Sequence, residues 1–454
     1  MKINSNIFRA YDIRGIYPKE LDERAVELIG RAFVQFLNKK NLRIVVARDG
    51  RLSSPSLFKF LTKGLCEQGV NVIDIGLATS PMFYFAVAHF KFDGGIMITA
   101  SHLSSEYNGF KLVREKAIPI SEETGLKEIK KLTQTPGNVI TGYPQSGCGK
   151  VVKKKVLKEY IAFNLKDFDL EKILPFKIVI DTANSVSGIL IPEIFKKINC
   201  KIYHLFSELD GNFPNHNPDP LVKENLTFLQ KEVKKRKADF GIAFDGDGDR
   251  IIFLDERGKI ISGDFITALL SQIILKAHSG EKIIYDIRSS NIVKETIKRY
   301  GGIPLVSRIG HSFFKEKMRK ENIIFGGELS GHYYSKKDYF SEAPIFVLFK
   351  ILEEMTKSKN KLSQLIEPFK KYFYSGEINF KVKNKKKVLK TLENKFSQSG
   401  NILKTDGLRI DFPDFWFLVR PSQTEPLLRL VLEARTKKLM EEKKQEIVKF
   451  ITSF

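Results

Sequence analysis

The chain has 454 residues, 42% of them hydrophobic, and a formal net charge of +23; it is too long for one core and, at roughly 100–150 residues per domain, is expected to form three or four domains. Three widely spaced cysteines, Cys66, Cys148 and Cys200, argue against a disulfide scaffold or a zinc cluster and fit a reducing cytoplasm; no secretory apolar region follows the start MKINSNIFRAYDIRG, and no run approaches the roughly 20 residues of a membrane span. The positive charge raises a polyanion-binding protein as an alternative, but the lysines fall in unrelated places (VVKKKVLKEY, KEVKKRKAD, KVKNKKKVLK, EARTKKLMEEKKQE) at helix or strand spacing, which reads as solvated faces and a field that draws in a small dianionic substrate rather than nucleic acid.

Taken in chain order, the predicted elements repeat. The β-branched run RIVVARDGR at 43–51 leads into a helical stretch, then a second strand in GVNVIDIG at 69–76 and a third in GGIMITAS at 94–101. The series returns as KIVIDTANS at 177–185, CKIYHLF at 200–206 and ADFGIAFDGDGD at 238–249. It returns again as KIIYDIRSS at 282–290, GGIPLVSRIG at 301–310 and IIFGGELSGH at 323–332, after an apolar stretch at 265–277 that reads as a buried helix. Strands alternating with helices predict mixed or parallel sheets, whose ligands bind beyond the carboxyl ends of the strands. Each third run ends there in a Gly-, Ser- or acid-rich loop.

The first such loop, TASHLSSEYNGFK at 99–111, leaves Ser101 and His102 at a strand tip. A serine there is a nucleophile, a helix cap or a turn residue. The GxSxG elbow of an α/β-hydrolase is absent, and a hydroxyl without it can instead carry a phosphoryl group. The second loop, Asp245-Gly246-Asp247-Gly248-Asp249, sets three carboxylates on a backbone freed by two glycines and suits a hard divalent cation. Continued to Glu256 it imitates a calcium EF-hand, but Arg250 stands where that loop needs glycine, and strands flank it where helices are required. Three carboxylates completed by a phosphate oxygen fit magnesium better than calcium. The third loop, GGELSGH at 326–332, offers Glu328, Ser330 and His332 to sugar hydroxyls, and GHSFFKEKM at 310–318 adds His311 and Ser312. Between two strands near the C terminus, RPSQTEP presents Arg420, Ser422, Gln423 and Thr424, a donor-rich turn suited to phosphate. An ordinary polar hairpin is the alternative there.

With these loops in order the chain resembles the α-D-phosphohexomutase superfamily, and within it the bacterial and archaeal phosphomannomutase/phosphoglucomutase group. The matches are FRAYDIRG at 8–15, TASH with EYNGFK, DGNFPNHNPDP at 210–220, DGDGDR, GHSF, GELSGH and RPSQTEP. The resemblance implies an α/β fold of four domains around a central cleft, three related α/β domains with mixed sheets and a C-terminal α+β domain. Boundaries are expected at 1–150 for the phosphoserine loop, 151–255 for the metal loop, 256–367 for the sugar-binding loop and 368–454 for the phosphate-binding loop. It further implies an intramolecular phosphotransferase interconverting hexose 1- and 6-phosphates of mannose or glucose through a hexose 1,6-bisphosphate. One magnesium ion per chain is expected on a phosphorylated Ser101 with Asp245, Asp247 and Asp249. Arg14 and Lys111 are expected beside the phosphoserine with His102 and Arg250 in the catalytic group, and Arg288 and His311 against substrate. Glu328 and Ser330 would take the sugar hydroxyls with His332 assisting, and Arg420, Ser422, Gln423 and Thr424 the distal phosphate. The expected partner is a small phosphosugar, with neither nucleic acid nor membrane, and the state a monomer or small homo-oligomer.

Three departures bear on these expectations. Leu103-Ser104-Ser105 replaces the usual Asn-Pro stretch, leaving the stiffness of that loop open; Gln423 replaces the usual Asn; and DTANSVSG replaces a glycine-rich turn. The FRAYDIRG start argues against a phosphoglucosamine mutase, the alternative within the superfamily.

Overall fold

The computed structural model of the chain describes residues 3–134, 148–397, 400–422 and 427–454. It divides into two compact units, one of Met1–Gly263, Gly310–Phe325 and Ser330–Leu365, the other of Asp264–Ile309, Gly326–Leu329 and Ile366–Phe454.

Two mixed sheets organise the first unit. In one, Gly94–Ile98, Arg43–Arg48, Asn71–Leu77 and Val151–Lys153 lie side by side and parallel. Tyr107–Arg114 closes it antiparallel against Gly94–Ile98 and carries Ile13–Ile16 on its far edge. The other repeats the scheme, with Lys201–Leu205, Lys177–Asp181 and Phe240–Phe244 parallel and Ile251–Leu254 antiparallel beyond them. The strands Gly94–Ile98 and Phe240–Phe244 are buried at every position, as in sheets covered on both faces. On the first sheet Val26, Ile29 and Phe33 of helix Glu23–Leu37 and Leu57, Leu61 and Leu65 of helix Ser54–Cys66 pack against Ile44, Val46, Ile96 and Ile98. Each of these side chains, when fully buried, contributes roughly 1.5–3 kcal/mol of transfer free energy.

The threefold repeat has a physical signature beyond its strands. In each copy an aspartate ends or follows the first strand and accepts the amide two residues on: Asp49 from Arg51 at 3.1 Å, Asp181 from Ala183 at 2.8 Å and Asp286 from Arg288 at 2.7 Å. All three carboxylates are buried. Their second oxygen then takes a cationic or imidazole partner, Arg51 Nε at 3.1 Å, His216 Nε2 at 3.1 Å and Arg288 Nη2 at 2.8 Å.

In the second unit Lys282–Asp286 pairs parallel with Ile303–Ser307. The expected buried helix is present as Gly263–Ala277. An antiparallel sheet in the order Phe373–Tyr374, Leu427–Ala434, Phe415–Pro421, Leu408–Asp411, Asn401–Leu403 makes the C-terminal part α+β together with helices Lys385–Phe396 and Lys437–Thr452. Period-two alternation divides this sheet's apolar residues. Phe417 and Val419 join the core that includes Val388, Leu392, Ile447 and Ile451 of those helices, whereas Trp416, Leu418 and Val431 pack on Ile287, Val306 and Ile309. Among the described residues no helix is long and apolar enough to cross a membrane.

Candidate active site

Strand Gly94–Ile98 delivers the chain to Ser101, whose backbone is left-handed at φ 53° and whose amide donates to Thr99 Oγ1 at 2.9 Å. The following loop is held by one residue that the sequence reading did not single out. Arg51, fully buried, donates Nη2 to the carbonyls of Ser101 at 2.8 Å and Leu103 at 2.6 Å, and Nη1 to those of Ser104 at 2.6 Å and Tyr107 at 2.9 Å. The Leu103-Ser104-Ser105 stretch is thus held from beneath by a guanidinium. The available signal was the Asp-x-Arg ending of RIVVARDGR.

The antiparallel pair Phe240–Phe244 and Ile251–Leu254 sets the acidic loop at a strand end beside Ser101. A Cβ at Gly246 would fall 2.4 Å from the Ser101 carbonyl oxygen, so only glycine permits this approach, and Gly248 adopts φ 67°. Ser101 Oγ donates to Asp245 Oδ2 at 2.9 Å. Asp245, Asp247 and Asp249 are all buried, and one oxygen from each lies within 4.8 Å of the others. Lys111 Nζ sits 2.5 Å from both Asp247 Oδ2 and Asp249 Oδ2, while the Ser80 hydroxyl donates to Asp247. Burial, with Asp249 and Asp247 adding, pushes the Asp245 carboxyl well above the ordinary carboxylate range. Against the same burial, Lys111, then His332 and Arg250, hold Asp249 well below it, and Asp247 and Asp249 hold the buried Lys111 ammonium well above its usual value. Asp247 Oδ1 is buried and has no hydrogen-bond partner among the described residues. Three converging hard oxygens with an orphaned acceptor fit a divalent cation.

Arg250 ties this loop to its neighbours. Its amide donates to Asp245 Oδ1 at 3.2 Å, and its Nη2 lies 3.0 Å from His102 Nδ1, which in turn lies 3.3 Å from Ser101 Oγ. Burial, then Arg250 and Arg14, drives the His102 pKa well below its usual value, so the ring is neutral and accepts at Nδ1. The amide of Ile251 donates to the Gly331 carbonyl at 3.0 Å, which brings His332 Nε2 to 3.2 Å from Asp249 Oδ1 and leaves its Nδ1 3.0 Å from Ser330 Oγ. Arg14 pairs with Asp12 at 2.7 Å within the field of Asp247 and Asp249. His311 opens helix His311–Glu321, stacks edge-on with Tyr11, and is kept neutral by burial with Lys315 and Lys111 adding.

The remaining candidates belong to the second unit. Arg288 is paired with Asp286 at 2.8 Å, and the same Asp286 oxygen accepts the Leu329 amide at 2.8 Å, which anchors the turn carrying Glu328. The GGELSGH loop is therefore divided, with Glu328 in the second unit and Ser330 and His332 in the first. Arg420 is the penultimate residue of strand Phe415–Pro421, and Ser422 follows the strand. Burial, with the like charge of Arg288 adding, lowers the Arg420 pKa against the pull of Asp406 and Glu377. Gln423 and Thr424 lie outside the described residues.

Four family models match the chain consecutively: phosphoglucomutase/phosphomannomutase alpha/beta/alpha domains I, II and III at residues 5–139, 158–258 and 262–372, and the C-terminal domain at 377–450. A phosphomannomutase of Methanocaldococcus jannaschii is 40% identical over 98% of this chain and 97% of its own length. A phosphomannomutase/phosphoglucomutase of Pseudomonas putida is 36% identical over 94% and 92%. Among solved structures, a phosphoglucomutase/phosphomannomutase family protein from Burkholderia thailandensis superposes with a TM-score of 0.90 at 31% identity, covering 100% of this chain and 98% of its own.

Proposed function

We propose that this chain, which belongs to the phosphoglucomutase/phosphomannomutase family, is a phosphohexomutase that interconverts the 1- and 6-phosphates of mannose and glucose through a phosphorylated Ser101 and a hexose 1,6-bisphosphate. The free hydroxyl of the substrate attacks the phosphorus on Ser101; the bond from phosphorus to Ser101 Oγ breaks, its electron pair stays on that oxygen, and the proton lost by the attacking hydroxyl ends there, restoring the serine hydroxyl. After the bisphosphate turns over, Ser101 Oγ attacks its other phosphate and the reverse exchange releases the isomeric monophosphate.

The buried charges suit this chemistry. Asp245, Asp247 and Asp249, with an oxygen of the phosphoserine, would hold a magnesium ion, which would supply Lewis-acid polarisation of the transferring group. Lys111, against Asp247 and Asp249, and Arg14, in the field of the same carboxylates, set positive charge at the edge of the acidic loop, available to a transferring phosphoryl group. Arg250 fixes the neutral His102 ring against the serine. Arg288 and Arg420 grip the phosphate that does not react, with Ser422, Gln423 and Thr424 completing the anion nest. Glu328 and Ser330 take sugar hydroxyls, His332 orients Ser330, and His311 contacts the substrate.

One observation carries the reading: a left-handed serine whose hydroxyl reaches a buried aspartate triad at 2.9 Å. Intact mass of the protein before and after incubation with glucose 1,6-bisphosphate, with a coupled assay on mannose 1-phosphate and glucose 1-phosphate in magnesium, tests it. One added phosphate that is absent in Ser101→Ala, together with turnover of either sugar, is expected. No phosphoenzyme and no turnover would defeat the proposal.

A further inference from the structure

The second unit buries an arginine, Arg409, outside the proposed catalytic and binding residues. Arg409 lies on strand Leu408–Asp411, opposite Leu418, two residues before Arg420 on the neighbouring strand. Its guanidinium carbon stands 3.7 Å from the centre of the Trp416 ring, a stacked cation–π contact. Nη1 donates to the Ile287 carbonyl at 2.6 Å and to the Ser289 carbonyl at 3.4 Å. Nη2 donates to Asn291 Oδ1 at 2.9 Å and to Asp411 Oδ1 at 2.8 Å. Ile287 and Ser289 are the residues on either side of Arg288.

Everything around that turn reinforces the same grip. The side chain of Ile287 is buried with Trp416, Leu418 and Val431. Trp416 Nε1 donates to Glu433 Oε1 at 2.8 Å, and the same oxygen accepts the Asn291 amide at 2.9 Å, just beyond the turn. Asp286 holds the Arg288 side chain. Arg288 is therefore fixed at both flanking carbonyls and at its own guanidinium, from a sheet that also carries Arg420. Only a planar fork of five N–H groups reaches two carbonyls, an amide oxygen and a carboxylate while lying flat on an indole; an ammonium cannot.

We propose that Arg409, seated on Trp416, is a positioning residue for Arg288: it sets the spacing between the Arg288 and Arg420 guanidiniums at which the non-reacting phosphate is gripped. This rests on the phosphohexomutase reading and on Arg288 binding substrate phosphate. A misplaced Arg288 weakens binding of a monophosphate in either orientation and leaves the phosphoryl-transfer groups of the first unit untouched.

The test is a double-mutant cycle on Arg409→Lys and Arg288→Met, with KM and kcat for glucose 1-phosphate at saturating magnesium and thermal unfolding alongside. Arg409→Lys is expected to raise KM about tenfold while kcat stays within about threefold, and to add nothing to KM once Arg288 is Met. An unchanged KM in Arg409→Lys, or effects that multiply independently in the double variant, would overturn the proposal. Should Arg409→Lys not fold, Asn291→Ala removes one acceptor of the brace and carries the same test with a smaller rise in KM. A wild type without mutase activity defeats the underlying reading itself, whereas an active wild type with an unaffected Arg288→Met defeats only the Arg288 assignment and this inference with it.

Discussion

Lys111 Nζ stands 2.5 Å from Asp247 Oδ2, with both groups buried and the same ammonium equally close to Asp249. A buried ion pair of this kind costs about 3–5 kcal/mol when one partner is removed, because the other charge is left stranded. Lys111→Met should lower the unfolding temperature in chelator. A divalent cation then takes over part of the neutralisation, so added magnesium should raise that temperature more in the variant than in the wild type. Thermal unfolding with and without magnesium checks this; equal shifts in both proteins would show that lysine and cation do not share these carboxylates.

Ser101→Ala should leave the fold intact, since the change removes the hydrogen bond to Asp245 and the longer contact with His102, about 1–3 kcal/mol at most. Mutase activity should nonetheless fall by about 10³-fold or more, as expected when a covalent nucleophile is lost. Circular dichroism and the coupled assay together separate the two effects, and a variant retaining more than a tenth of wild-type activity would remove the serine from the reaction.

Replacing Arg51 by Met leaves four loop carbonyls without their donor and the buried Asp49 without its cation. A loss of about 3–5 kcal/mol in stability is expected. Arg51→Lys keeps the charge but not the fork, and should be milder in denaturant titrations while still slowing phosphorylation of Ser101 by glucose 1,6-bisphosphate. Wild-type phosphorylation kinetics in Arg51→Lys would argue that the loop needs no clamp.

A pH dependence follows from Asp338. Burial, with Asp167 adding, raises its carboxyl from 3.8 to about 7 despite Ser335 and Lys337. Between pH 4 and 7 the folded chain keeps a proton that the unfolded chain has released, so this group's contribution to stability is present at the acid end and is lost as pH rises through the folded pKa. The slope approaches about 1.4 kcal/mol per pH unit in that window. Urea titrations at pH 5 and pH 7.5 should show the wild type losing more stability over this interval than Asp338→Asn. Parallel behaviour of the two proteins would contradict the assignment.

Much of the fold and of the first unit's candidate site was legible in the chain itself. The three repeated strand series emerge as strands in their expected places, and the loops they end in bring Ser101 to Asp245 across 144 positions. Glycine spacing in DGDGD was readable because close approach and positive φ both demand the missing Cβ. Arg51, Ser80 and Arg409 were not readable, for a common physical reason. Each works by donating to atoms far away in the chain, backbone carbonyls for the two arginines and the Asp247 carboxylate for Ser80, so the local pattern leaves Ser80 and Arg409 unmarked and gives Arg51 only the Asp-x-Arg that Arg288 shares. The division of GGELSGH between two units was likewise invisible, because Leu329 is claimed by Asp286 while Gly331 is claimed by Ile251. Neither partner lies nearby in sequence.

The aspartate that closes the first strand of each repeat behaves as a socket. The first copy plugs in Arg51 and uses it as a scaffold strut, the third plugs in Arg288, the arginine proposed to grip phosphate, and the second leaves Ala183 in that position and borrows His216 from a loop downstream. Scaffold and tool thus come from one interchangeable fitting, and an engineer wishing to move a binding arginine around this architecture has three ready-made mounts from which to choose.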